Sequence, residues 1–201
     1  MSPAHSRNGY SRGIAFLFEI RNTILMTDIR PAPEDYQHIK EKIIGYLARQ
    51  GFSERKLLQK VTDLKRRYPH VRRYRFYTPA HVRMVLDELK AMGLVDDMKY
   101  AREVLRQLRD GQNGLYRIKD KMFRRLIPTA IINAVLREWK ESGEGQDYTA
   151  IIRETKRKNS RLKEKHPSPN EHYIVKRKLY AFLGQKGYGS DEIREILRQS
   201  S

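Results

Sequence analysis

One pattern constrains this chain more than any other. Ile118, Met122, Ile127, Ile132, Val135 and Leu136 recur 61 positions later as Leu179, Leu183, Tyr188, Ile193, Ile196 and Leu197. The intervals within each set are those of a helix, a turn and a second helix. Leu57 and Val61, with Val82, Val85, Leu86 and Leu89, supply a first copy once the linker between its second and third helices is lengthened by roughly eleven residues. Coincidence between generic amphipathic helices is the competing explanation, and the paired turn spacing argues against it. Apolar residues keep helical intervals almost everywhere, and no sustained alternation of the strand type occurs. The expected fold is therefore all-α, with three tandem units of three helices. A lone unit has little apolar surface to offset its conformational entropy, so the units are expected to stack on one continuous core in an elongated, curved array.

Local signals set the boundaries. Residues 1–34 read as a poorly ordered extension, 35–93 as the first repeat with a basic aromatic insertion at 65–77, 94–140 as the second and 146–199 as the third. Ser53 is a good N-cap, Thr78-Pro79 a cap with a first-turn proline, and Asp96-Asp97 a helix start; Gly93 and Gly187-Tyr188-Gly189-Ser190 are stops or turns. Glu141 to Asp147 reads as a flexible break, and Pro167 and Pro169 turn the chain before the last pair of helices. No run of eighteen apolar residues predicts a membrane-spanning helix. The apolar stretch Ile14 to Phe18 is interrupted by Glu19 and Arg21 before Ile24-Leu25-Met26, which disfavours a signal peptide, and translation starting at Met26 is an alternative reading of this end. The absence of cysteine excludes disulfides, thiolate metal sites and cysteine nucleophiles, and fits a reducing cytoplasm.

Charge points to the partner. Lysine and arginine number 42 against 24 acids, a formal net charge of +18. Residues 55–83 hold ten bases and one acid, 102–140 ten and four, and 153–178 ten and three, so each repeat contributes a basic surface. Lined up on an array, these surfaces would follow a phosphate backbone or an acidic protein groove, although any single lysine or arginine is as well explained by solubility. Within 66–77 the arginines interleave with Tyr68, Tyr74, Phe76 and Tyr77, a mixture suited to single-stranded nucleic acid; the same rings could equally pack beneath an extended loop.

Catalytic constellations are missing from the sequence. The histidines at 5, 38, 70, 81, 166 and 172 lack metal-ligand spacing, no P-loop is present, and Gly187-x-Gly189 joins two helices rather than a strand and a helix. Asp96 and Asp97 could be imagined as a magnesium site but are better read as partners of a helix N-terminus. Trp139 and the methionines at helical spacing read as core. No cofactor and no catalytic residue is expected.

Three stretches carry a resemblance to a known family. Val85-Leu86-Asp87-Glu88-Leu89 runs into Gly93-Leu94-Val95-Asp96-Asp97 with Tyr100-Ala101. Gly114-x-x-Arg117-Ile118-x-x-x-Met122 leads to Ile127-Pro128 and Ile132, and Lys178-Leu179-Tyr180-Ala181-Phe182-Leu183 leads to Gly187-Tyr188 and Ile193-Arg194. Over roughly residues 35–199 the chain resembles the RecX regulatory proteins of bacteria. It departs from their pattern at Leu126, where glycine is usual, at Leu115, where proline is frequent, and in its longer 65–77 insertion. The resemblance implies a non-enzymatic modulator of recombination and the SOS response. Such a protein lies, as a monomer, along the groove of the RecA filament on single-stranded DNA, and most often restrains ATPase, strand exchange and co-protease activity. Partners would be RecA and single-stranded DNA, secondarily duplex DNA, with no membrane. The expected binding residues are Arg66, Arg67, Arg72, Arg73, Arg75, Arg102, Arg106, Arg109, Arg117, Arg124, Arg125, Lys176, Arg177 and Lys178. The competing readings are a self-sufficient DNA- or RNA-binding module independent of RecA, and an undetected nuclease.

Overall fold

The computed structural model describes residues 31–142 and 147–200. The apolar stretch at 14–18, the alternative start at Met26, nearly all of the 1–34 extension and the middle of the 141–147 break lie outside the described residues. Regular structure in the rest is helical. The helices are α1 (Pro33–Leu47), α2 (Glu54–Arg67), α3 (Pro79–Ala91), α4 (Asp97–Asp110), α5 (Leu115–Arg124), α6 (Thr129–Glu141), α7 (Thr149–Lys165), α8 (His172–Gln185) and α9 (Ser190–Gln199), with short 3-10 turns at Arg72–Phe76 and Pro169–Glu171.

Helix starts follow the capping chemistry in the sequence. The Ser53 hydroxyl accepts from the Lys56 amide at 3.3 Å, Thr78 from His81 at 3.2 Å and Asp96 from Lys99 at 2.9 Å. Helix stops share one device. Gly93, Leu126 and Gly187 have left-handed φ values of 71°, 58° and 87°. The next residue then reaches back five positions: the Leu94 amide to Leu89 O at 2.9 Å, Ile127 to Met122 O at 3.3 Å and Tyr188 to Leu183 O at 3.2 Å. This is a Schellman closure, which favours glycine at the left-handed position; Leu126 makes it without glycine.

Helices α1–α3, α4–α6 and α7–α9 pack as three separate triplets, and every substantial helix–helix packing lies within a triplet. The expectation of one continuous core is overturned. Ile39, Ile43, Leu57, Val61 and the inner face of α3 form one cluster. Val104, Leu108, Ile118, Met122, Ile132 and Val135 anchor a second, and Ile151, Leu183, Tyr188, Ile193 and Ile196 a third. Each amphipathic stripe turns toward the middle of its own triplet, so the contacts between triplets fall to turns and helix ends, where the sequence is polar or glycine. The 65–77 insertion holds the last turn of α2 and a 3-10 turn, and it sends Tyr77 fully into the first core. One smaller expectation changes: Met92, next to the left-handed Gly93, is 58% exposed rather than core, whereas Met122 is fully buried.

Candidate nucleic-acid interface

The triplets meet through equivalent joints. At the first, the Ser53 hydroxyl at the start of α2 donates to Arg125 O at the end of α5 at 2.7 Å, and the Glu54 amide donates to Asp97 Oδ1 at 2.7 Å. At the second, the Gly114 and Tyr116 amides at the start of α5 donate to Lys186 O at 2.9 Å and Gly187 O at 3.1 Å, at the end of α8. Ser53 and Gly114, like Arg125 and Lys186, stand 61 positions apart. The repeat therefore extends to the joints themselves: the middle helix of each unit docks its N-terminus on the C-terminal cap of the next unit's middle helix. At the second joint unsatisfied N–H groups at one end meet unsatisfied carbonyls at the other, with the helix dipoles favourably placed; at the first the Ser53 hydroxyl takes the carbonyl and Asp97 takes the amide. Two more bonds lock the second joint, from Arg117 Nη1 to Gln185 O at 2.7 Å and from the Tyr188 hydroxyl to Gln112 O at 3.1 Å.

The same register places cations along this spine. Lys56 on α2, Arg117 on α5 and Lys178 on α8 are 61-position equivalents, as are Lys60 and Lys121. On α5, Arg117, Lys121 and Arg125 follow at intervals of four and so share one flank of the helix. Burial, reinforced by Arg117, Arg125 and Lys186, holds the Lys121 ammonium below the usual lysine range. Its Nζ donates to Asn113 Oδ1 at 3.1 Å, and one guanidinium nitrogen of Arg125 is buried without a hydrogen-bond partner. Crowded cations of this kind suit an anion. Lys56, Lys60 and Lys121 were not among the residues expected from sequence; carrying the 61-residue shift into α2 and reading the i, i+4 flank of α5 would have found them.

The expected binding residues divide by environment. Arg66 and Arg67 pair with Asp63, Arg102 with Glu138 at 2.9 Å, Arg106 with Glu103 at 2.9 Å, and Arg124 with Asp120 at 2.9 Å. These pairs are exposed, hence weak and open to exchange. Arg109 lies over the Trp139 ring at 4.9 Å, and Lys178 Nζ sits 2.8 Å from His166 Nε2. Arg72, Arg73, Arg75, Lys176 and Arg177 are exposed. Arg72 and Arg73 face the acidic start of α1 across a groove shared with Glu34, Asp35 and Glu41. The structure thus brings Arg117 and Arg125 together around Lys121, and leaves the cations of the first insertion and of α8 in separate groups.

The aromatic insertion splits between its two readings. Tyr74 and Tyr77 turn inward, 5.0 Å apart, and the Tyr77 hydroxyl contacts His38 Nδ1 at 3.0 Å. Burial pushes the Tyr77 phenol well above its ordinary range. Tyr68 and Phe76 remain largely exposed. On α5 two further rings face outward, Tyr116 at 68% and Phe123 at 64% exposure. The adjacent carboxylates do not converge. Asp96 caps α4, and Asp97, raised by burial, accepts from the start of α2. No group of three histidine, aspartate or glutamate side chains with metal-binding geometry occurs among the described residues, and none of their helices is long and apolar enough to cross a membrane.

Comparison with known proteins gives these features a setting. Residues 146–197 match a family model described as the third three-helix domain of RecX. The chain is 28% identical over 128 residues to Regulatory protein RecX of Chlorobium phaeobacteroides, covering 62% of this chain and 76% of that protein. It is 24% identical over 162 residues to Regulatory protein RecX of Prosthecochloris aestuarii, covering 80% and 83%. The crystal structure of RecX from Lactobacillus salivarius superposes with a TM-score of 0.59 at 16% identity, over 83% of this chain and 97% of that one. A second RecX crystal structure gives 0.58 at 15% identity, over 98% and 81%. At such identities the structural likeness establishes the fold, all-α with tandem three-helix units.

Proposed function

Taking as premise that this chain is a relative of the RecX regulatory proteins, we propose that it regulates RecA by binding along the groove of the RecA filament on single-stranded DNA. Its effect is to restrain ATP turnover, strand exchange and co-protease activity. The observation that carries this reading is the spine of three middle helices docked end to end, each presenting a cation at the same register through Lys56, Arg117 and Lys178. A repeating cationic ligand matches a repeating anionic filament: weak contacts at successive units sum through effective concentration, with no deep pocket required. Arg117 is held by its joint before binding, through Gln185 O at 2.7 Å, which lowers the ordering cost.

The test is RecA ATP hydrolysis on single-stranded DNA with increasing amounts of the protein. Turnover is expected to fall as the protein saturates the filament, and the effect to weaken as salt rises. Unchanged turnover, with the protein still binding DNA, would sink the reading in favour of a module independent of RecA.

A further inference from the structure

The outward face of α5 carries two features that the fold does not use. Tyr116 and Phe123 are seven positions apart, so they lie on one side of the helix, opposite the buried stripe of Ile118 and Met122. Neither ring is a product of the repeat: the equivalent positions are Arg55 and Thr62 in α2, and Arg177 and Gly184 in α8. The rings are flanked by cations, with Lys119 on one side and Arg117 on the other, and the intervening Asp120 is paired with Arg124 at 2.9 Å.

We propose that this face of α5 is a stacking platform for single-stranded nucleic acid, in which Tyr116 and Phe123 each take a base and Arg117 and Lys119 hold the adjoining phosphates. Along the helix axis the rings are separated by about 10 Å at roughly 1.5 Å per residue. That distance corresponds to about three base steps at roughly 3.4 Å each. The platform is preorganised because both ends of α5 are tied down, the first to Lys186 and Gly187 and the last to Ser53. Edge support comes from the turn at Gly189, where a β-carbon would stand 3.4 Å from the Tyr116 ring. A duplex fits the face less well, because its bases are already stacked and only its phosphates are on offer.

The inference deepens the filament reading and rests on it for the biological setting of the strand, but it is tested separately. Binding of a fluorescent 20-nucleotide oligo(dT), and of a duplex of equal length, is measured by anisotropy across a salt series for the whole chain. The same is done for Tyr116→Ser with Phe123→Ser, and for Tyr116→Leu with Phe123→Leu, which keeps apolar bulk without an aromatic face and guards against loss of fold. Exchanging the rings, Tyr116→Phe with Phe123→Tyr, is the rescue. Loss of the rings is expected to weaken oligo(dT) binding tenfold or more, with duplex affinity and salt slope unchanged and the ring exchange close to the parent. Equal losses on oligo(dT) and duplex, unchanged oligo(dT) binding, or no oligo(dT) binding by the parent protein would overturn the proposal. So would a variant that keeps oligo(dT) but loses its effect on RecA turnover, for that assigns the face to protein. If the parent leaves RecA turnover unchanged while the ring variants lose oligo(dT), the filament reading fails and the platform stands.

Discussion

Single residues decide how well the turns close. Leu126 occupies a left-handed conformation at φ 58° in the closure that Gly93 and Gly187 make with glycine. A side chain there meets the following carbonyl at a cost of about 1–2 kcal/mol. Leu126 is partly buried, so glycine would give up apolar burial worth about 1–2 kcal/mol and lose further ground through backbone entropy. Leu126→Gly is therefore expected to destabilise the protein by up to about 1 kcal/mol. Urea denaturation provides the check: the midpoint should fall at constant slope. A higher midpoint would mean that the backbone strain outweighs the packing of Leu126.

Helices contribute through their ends as much as through their faces. Gly114 has an ordinary φ of −71°, so its own backbone tolerates alanine. A β-carbon there would nonetheless fall within the backbone of Gly187, and one on Gly187 within Arg117. Gly114→Ala must open the joint between the second and third units, at a cost in the range of about 1–3 kcal/mol for an overpacked contact. The damage should be local. Amide exchange at Tyr116, which donates across the joint, should accelerate while the Ile118 and Met122 core stays protected; uniform loss of protection would place the fault in the core of the second unit instead.

At the scale of the whole molecule, separate cores mean separable stability. The first and second clusters each bury a long set of aliphatic side chains, whereas the third buries the shorter set Ile151, Leu183, Tyr188, Ile193 and Ile196, with Tyr148, Ile152, Tyr180, Phe182 and Leu197 partly covered around it. A 530 Å³ groove enters beside it between Asn159, Lys163, Val175, Leu179 and Leu197. Asn159 and Lys163 stand in the C-terminal half of α7, where that helix contributes no buried apolar side chain. With nearest-neighbour coupling only through the joints, the array should unfold unit by unit from its weakest end. Native-state hydrogen exchange is expected to show the lowest opening free energies in α7–α9, and a single global free energy for all amides would contradict that.

Much of this architecture was legible in the sequence because its signals are local. Helical intervals of apolar residues, capping by Ser53, Thr78 and Asp96, and left-handed glycines at 93 and 187 each act within a few residues, and the 61-residue recurrence exposes the tandem plan. What the chain could not disclose by itself is where a stripe finds its partner. A continuous shared core and three closed ones present the same periodicity, and only the tertiary contacts turn each stripe inward on its own triplet. The same holds for the interface. Sequence shows that cations abound, but whether an arginine is spent on a neighbouring carboxylate, as Arg102 is on Glu138, or stands beside other cations, as Arg117 does beside Lys121, depends on distances across helices. Those distances are set by how Gly114 meets Gly187 and Ser53 meets Arg125, contacts between residues more than seventy positions apart.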